Sequence, residues 1–116
     1  MKTDKNLKEA FAGESQANRK YLAFAKKADE EGYPGVAKLF RAASEAEAIH
    51  AYSDLKAMGA VKTTADNLQA AIDGETYEFT VMYPGFIREA EEEAANSAKR
   101  VFSLANEAEK VHAHLY

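Results

Sequence analysis

Apolar residues recur along this chain every three or four positions, and the rhythm breaks at glycines and at one proline. From Asp4 to Glu31, Leu7, Phe11, Tyr21, Leu22, Phe24, Ala25 and Ala28 keep helical spacing, and Gly32-Tyr33-Pro34-Gly35 supplies a glycine stop and a turn. This predicts a first helix. Val36 to Met58 carries Leu39, Phe40, Ile49 and Leu55 at the same period, with Gly59 as the stop, and predicts a second. A third is expected to open at Asp66, with Gln69 three residues on in the manner of a capping box, and to run through Leu68, Ile72, Phe79, Phe86 and Ile87. Pro84-Gly85 interrupts it. Proline has no amide proton and its ring crowds the preceding turn, so a kink or a local widening is expected there. A fourth helix runs from Asn96 or Ser97 through Val101, Phe102, Leu104 and Val111 to the end. The turn at Ala94-Ala95-Asn96 lacks the glycine of its counterpart at Gly32, which leaves open a fusion of the third and fourth helices. No stretch alternates at period two for more than a few residues, so the expected class is all-α, with the phenylalanines in its core.

The pattern repeats. A shift of 62 residues lays Phe40 on Phe102, Glu45 on Glu107, Glu47 on Glu109 and His50 on His112; a shift of 61 lays Gly13-Glu14 on Gly74-Glu75. Each half is therefore a predicted helical hairpin, 1–59 and 66–116, within one domain spanning 1–116. Each hairpin has Gly-Glu on its first helix and Glu-x-x-His on its second. On a helix an i, i+3 pair shares one face, about 4.5 Å apart along the axis, so the carboxylate and the imidazole aim at one point. Two hairpins facing each other would make a four-helix bundle with Glu14, Glu47, His50, Glu75, Glu109 and His112 at its centre, and Glu78, one turn past Glu75, adds a fifth carboxylate. Gly13 and Gly74 each cost a helix about 1 kcal/mol relative to alanine, and close helix approach beside these groups is the expected return.

Composition narrows the chemistry. The 116 residues, 47% hydrophobic and 29% charged, suit a single core. A net charge of -4 offers no nucleic-acid surface, and no apolar run has membrane-spanning length, so a cytoplasmic protein is expected. With no cysteine there is no disulfide, no cysteine-bound zinc and no iron-sulfur cluster. Any metal must be held by oxygen and nitrogen. Five carboxylates in one low-dielectric cavity repel one another unless cations neutralise them. Two divalent ions leave a formal charge of about -1, as do two trivalent ions bridged by oxide, so one ligand set serves both oxidation states. Carboxylates with one imidazole per metal suit iron or manganese; zinc could fill the site but not change oxidation state. The runs Asp29-Glu30-Glu31 and Glu89 to Glu93 read as solvated helix ends, Glu45 and Glu107 as surface or ligand-supporting groups, and His114 as exposed. Tyr21 lies seven residues after Glu14 and Tyr83 eight after Glu75. Each is open to core packing, or to a hydrogen bond or proton donation toward a ligand carboxylate.

The stretches Ala12-Gly13-Glu14-Ser15, Glu47-Ala48-Ile49-His50, Gly74-Glu75-Thr76-Tyr77-Glu78 with Met82-Tyr83-Pro84 after it, and Glu109-Lys110-Val111-His112 together resemble the di-iron domain of the rubrerythrin family. The third is the most specific, because ferritins lack the additional carboxylate of Gly-Glu-x-x-Glu. The resemblance implies a ferritin-like four-helix bundle, an oxo-bridged pair of iron ions, and reduction of hydrogen peroxide, with dioxygen as the competing oxidant. It implies that Glu47 and Glu109 bridge the ions, that Glu14 is terminal on one, and that Glu75 and His112 hold the other. It further implies that the first ion exchanges His50 for Glu78 on oxidation, with Glu78, Tyr21 and Tyr83 as the catalytic candidates.

Two departures follow. Typical members add a rubredoxin-like domain whose four cysteines deliver electrons; this chain resembles the shorter erythrin type, and an external donor such as a rubredoxin-like protein is expected. The second departure is the link between hairpins. Were Glu47 and Glu75 at one height, a ferritin-like monomer would need it to run back about 32 Å, yet seven steps of chain span at most about 25 Å. A homodimer that exchanges hairpins is the expectation, with a frayed monomer or a simple up-down-up-down bundle as alternatives. The rival functions are ferritin-like iron binding or ferroxidation, which predicts many irons per chain, and a metal-free or zinc-stapled helix dimer.

Overall fold

The computed structural model describes all 116 residues, Met1–Tyr116. The chain is all-α: α1 (Lys2–Glu30), α2 (Pro34–Ala57), α3 (Thr64–Tyr77), a π-helical turn (Glu78–Met82), α4 (Tyr83–Glu92) and α5 (Asn96–Leu115). It divides into two units, Met1–Val61 and Lys62–Tyr116, each a helical hairpin.

In the first hairpin α1 and α2 meet along a seam of small residues, with Ala25, Ala28, Ala37 and Ala51 buried. Alanine lets the backbones approach and loses little side-chain entropy on burial. One polar pair crosses the seam. The Asn18 amide donates to the Ser44 carbonyl (2.8 Å) and to its Oγ (2.9 Å), and the Ser44 hydroxyl donates to the Asn18 carbonyl (3.0 Å). Ser44, only 1% exposed, is thereby satisfied. Toward the turn, Tyr21, Phe24 and Phe40 form an aromatic trio with centroids 5.5 to 6.3 Å apart. Gly32, at φ 84°, ends α1; the Tyr33 amide reaches back to the Ala28 carbonyl (2.8 Å), and Pro34 starts α2.

The second hairpin reproduces this with one insertion. Tyr83, Phe86 and Phe102, each 62 residues after its counterpart, form the same trio at 5.3 to 6.2 Å. The change of register from 61 to 62 between Glu75 and Tyr83 is the π turn: the Tyr83 amide donates to the Glu78 carbonyl, five residues back, so the turn holds one extra residue. Its position explains it. Pro84 follows at once, and the wider turn takes the carbonyls it would clash with out of the way. The widening expected at the proline therefore sits in the turn before it. α3 is capped three residues upstream of the expected Asp66: Thr63 is the cap, its Oγ1 accepting from the Asp66 amide at 3.1 Å, while the Gln69 side chain bonds Asp73 instead. The turn at Ala94 closes without a glycine. Ala94 takes φ 55° and the Ala95 amide bonds the Ala90 carbonyl at 2.8 Å, so α4 and α5 are separate helices.

Two expectations about packing are corrected. The phenylalanines are not a buried core: Phe24 is 47% and Phe86 40% exposed, because a layer of two helices covers only its narrow seam, which alanines occupy. Nor do Gly13 and Gly74 mark close helix approach within their hairpins. A Cβ placed at either meets no atom within 4 Å.

Candidate metal centre

Each hairpin assembles one carboxylate–carboxylate–imidazole triad. In the first, Glu14 projects from the middle of α1 toward Glu47 and His50, one turn apart on α2. His50 Nδ1 stands 3.6 Å from Glu14 Oε1 and 3.9 Å from Glu47 Oε2. In the second, Glu75 comes from the last turn of α3 and Glu109 and His112 from α5, with His112 Nδ1 3.4 Å from Glu75 Oε2 and 3.6 Å from Glu109 Oε2. The donor atoms of each triad all lie within 4.8 Å of one another. Donors sharing an ion at about 2.0–2.2 Å stand up to about 4.3 Å apart, so these spacings suit a common cation with little movement.

The electrostatics ask for that cation. Glu14 Oε2 and Glu75 Oε2, equivalent in the two repeats, are buried without a hydrogen-bond partner. A buried carboxylate oxygen with nothing to accept from is costly, and a metal ion is the partner that the donor set suits. Glu14 bears the strain most visibly. Its carboxyl is pushed above the ordinary 4.5, first by the facing Asp54 carboxyl, with which it can share a hydrogen bond only when one of the two is protonated, then by desolvation and the Asp54 charge, with Glu47 adding to the rise and His50 opposing it.

Asp54 was not among the residues singled out from the sequence, although it lies four residues after His50 and seven after Glu47, on the same stripe of α2. Its Oδ2 is also buried and unpartnered. The 62-residue repeat puts Tyr116 at the equivalent place, and Asn106, whose Oδ1 is buried and unpartnered, where the first hairpin has Ser44. The two half-sites thus share ligands and differ in what surrounds them.

The remaining candidates fall outside the triads. Glu78, partly buried, opens the π turn one helical turn beyond Glu75. Tyr21 and Tyr83 are held by ring packing in the aromatic trios, each against a phenylalanine of the facing helix. Glu45 and Glu107 are exposed, Glu107 pairing with Lys110 at 3.1 Å, and His114 is exposed. No helix is long and apolar enough to cross a membrane.

Comparison with known proteins shows what the chain is similar to. Residues 5–116 match the family model described as Rubrerythrin. Nigerythrin from Nitratidesulfovibrio vulgaris is 44% identical over an alignment of 128 positions that takes in 98% of this chain and 63% of the relative. Rubrerythrin-2 from Clostridium acetobutylicum is 37% identical, covering 95% of this chain and 67% of its own length, and rubrerythrin from Porphyromonas gingivalis 39%, with 99% and 64%. The chain thus spans about two thirds of the length of these relatives. A solved structure of nigerythrin in its fully reduced, all-ferrous state aligns with 98% of the chain at 41% identity and a TM-score of 0.49.

Proposed function

Because the chain belongs to the rubrerythrin family, we propose that its two triads hold a pair of iron ions in a ferritin-like four-helix bundle and that the protein reduces hydrogen peroxide to water with electrons from an external donor. The observation that carries this reading is the duplication of one Glu–Glu–His triad, each with the same buried, unpartnered carboxylate oxygen, together with an additional carboxylate at Glu78. Storage of iron needs no such extra ligand.

When bound, two ferrous ions would supply the two electrons that convert one hydrogen peroxide and two protons to two waters. Glu14, Glu47 and His50 of one triad and Glu75, Glu109 and His112 of the other would hold the ions through carboxylate oxygen and imidazole nitrogen. Glu78 stands one turn from Glu75 in a backbone segment wider than an α-helix, and a second carboxylate there matches the greater positive charge of the oxidised pair. The Tyr21 and Tyr83 phenols sit toward the turn end of each hairpin and are suited to donate a hydrogen bond to a carboxylate or to the departing oxygen. The electron donor is of the rubredoxin-like, one-electron class, acting in the cytoplasm.

Metal analysis and titration of the anaerobic ferrous protein with peroxide test the proposal. Two irons per centre, one peroxide consumed per centre and the near-ultraviolet absorption of a diferric pair are expected. Uptake of many irons per chain would instead establish a storage role. Loading by manganese or zinc without peroxide turnover is expected of substitutes.

A further inference from the structure

We propose that the solvent face of α1 is the docking surface for the electron donor, and that the donor is a small protein of acidic surface carrying a one-electron centre. This rests on the peroxide reading above, which requires an external donor, and adds where that donor binds and what charge it carries. α1 (Lys2–Glu30) holds seven of the chain's 15 lysines and arginines, from Lys2 to Lys27. With 3.6 residues per turn all seven fall within a sector of about 120°, and Glu9 and Glu30 are the acids that share it. The sector lies opposite Asn18 and Ala25, which face α2, and all seven basic residues are exposed.

The rest of the chain runs the other way. It has eight lysines and arginines against fourteen acids, within a net charge of -4, so positive charge is concentrated on α1. The repeat supplies the control. The equivalent segment of the second hairpin, α3 to α4 (residues 64–92), also supplies a triad glutamate, Glu75, yet carries one basic residue, Arg88, against seven acids. Lys5, Lys8 and Lys27 correspond there to Asp66, Gln69 and Glu89. Folding a hairpin and placing its triad therefore do not call for the stripe. Nor do ion pairs within the chain use it up: of the seven only Lys27 has an acidic partner, Glu31 at 4.0 Å, both exposed, and such a pair contributes little.

The stripe brackets the height of the site. Glu14 lies about 9 Å along the axis from Lys8 and about 8 Å from Arg19, at 1.5 Å per residue. Between these charges the outer surface is Ala12, Gly13 and Gln16, all exposed, and a Cβ at Gly13 would meet no atom within 4 Å. A partner can therefore come down to the helix backbone, where little more than one helix, about 10 Å across, separates it from Glu14. Charge on an exposed face steers encounter and sets its salt dependence more than it prolongs the complex. That suits a donor that must bind, deliver one electron and leave. Two such visits restore the two electrons spent when one peroxide and two protons become two waters. Nucleic acid and anionic lipid are also drawn to positive charge, but neither brings the electrons that the site consumes.

The probe is a reduced rubredoxin of strongly acidic surface, mixed with the iron-loaded protein and peroxide, its oxidation followed by stopped-flow absorbance. Lys8→Glu/Lys20→Glu should slow the bimolecular step at least about tenfold at about 20 mM salt, and should remove the fall in rate that wild type shows toward about 300 mM. Lys8→Arg/Lys20→Arg should keep the wild-type rate. Lys38→Glu/Arg100→Glu, an equal change of net charge placed on α2 and α5, should lower it by less than about threefold. A Lys8→Glu/Lys20→Glu protein as fast as wild type, or a control pair as slow as that variant, overturns the docking surface. Oxidation of the ferrous protein by peroxide without donor should be the same in wild type and variants; its absence from wild type would overturn the peroxide reading instead. Binding is read apart from electron transfer by titrating zinc-loaded rubredoxin into isotope-labelled protein. The backbone amide resonances of Lys5, Lys8, Arg19 and Lys20 should shift, and shifts confined to other helices contradict the proposal. Tighter binding to phosphatidylserine vesicles or to duplex DNA than to rubredoxin, lost in Lys8→Glu/Lys20→Glu, would assign the stripe to that ligand and overturn it as the donor's.

Discussion

Glu14 faces a second carboxylate, Asp54, that has no acidic counterpart in the other hairpin, where Tyr116 stands in its place. In the metal-free protein this pair gives stability a pH dependence whose sign follows from linkage. A carboxyl whose folded pKa is raised binds its proton more tightly in the folded state; its contribution is fully present below the ordinary 4.5 and is lost as pH rises through the raised value. Asp54→Asn removes the largest cause of the shift, so metal-free variant protein should lose less stability than wild type between about pH 4 and pH 7, in urea unfolding followed across that range. Parallel curves would show that Asp54 does not govern Glu14. At Glu78 the expectation concerns turnover: Glu78→Ala should keep both irons and oxidise more slowly with peroxide by at least tenfold, and an unchanged rate in stopped-flow absorbance would remove Glu78 from the mechanism. The two Glu–Glu–His triads were legible in the sequence because i, i+3 spacing fixes a shared face whatever the fold around it. Asp54 was equally within reach of helical periodicity, but one aspartate among many charged residues on amphipathic helices carries no mark of its own until its neighbours are placed.

Helix geometry turns a one-residue difference into a displaced ligand. The π turn at Glu78–Met82 sets Glu75 in register with Glu109 and His112 while Tyr83 stays in register with Phe102. Removing Val81 and replacing Pro84 with alanine should yield a regular helix, with α3 rotated by about 100° relative to α4 and Glu75 carried off its triad. Helical content is then expected to hold while iron binding falls, read by circular dichroism and metal analysis on the same sample. Retention of two irons would mean that the extra residue is dispensable for the site. The sequence held the trace of this turn in the change from a 61- to a 62-residue shift and in Pro84, whose ring crowds the turn before it. Ala94 is the opposite case. It occupies the left-handed conformation that Gly32 occupies in the first hairpin, at a cost of roughly 1 kcal/mol for a side chain with a Cβ. Ala94→Gly should therefore raise unfolding free energy by about 0.5–1 kcal/mol despite the greater freedom of glycine in the unfolded chain.

At the scale of the molecule, what each hairpin leaves uncovered determines how the protein holds together. The seams bury alanine and serine, and the large apolar side chains lie outside them; this was not legible from periodicity, which shows that a helix has an apolar face but not which neighbour covers it. The short link was legible, since residue counts and rise per residue set distances before any fold is known. If a second copy covers those faces, folding and association are one equilibrium, and stability depends on chain concentration. Each tenfold increase should then add about 1.4 kcal/mol per dimer to the metal-free protein, visible as a rising thermal midpoint over a hundredfold range of concentration. On the proposed function iron would add to this, because it would relieve carboxylates that otherwise repel. The loaded protein should melt well above the metal-free one, and a chelator should return it to the concentration-dependent curve. A metal-free midpoint that stays constant across that range would instead place all the stabilising contacts within one chain, and the exchange of hairpins would have to be abandoned even if iron still raised it.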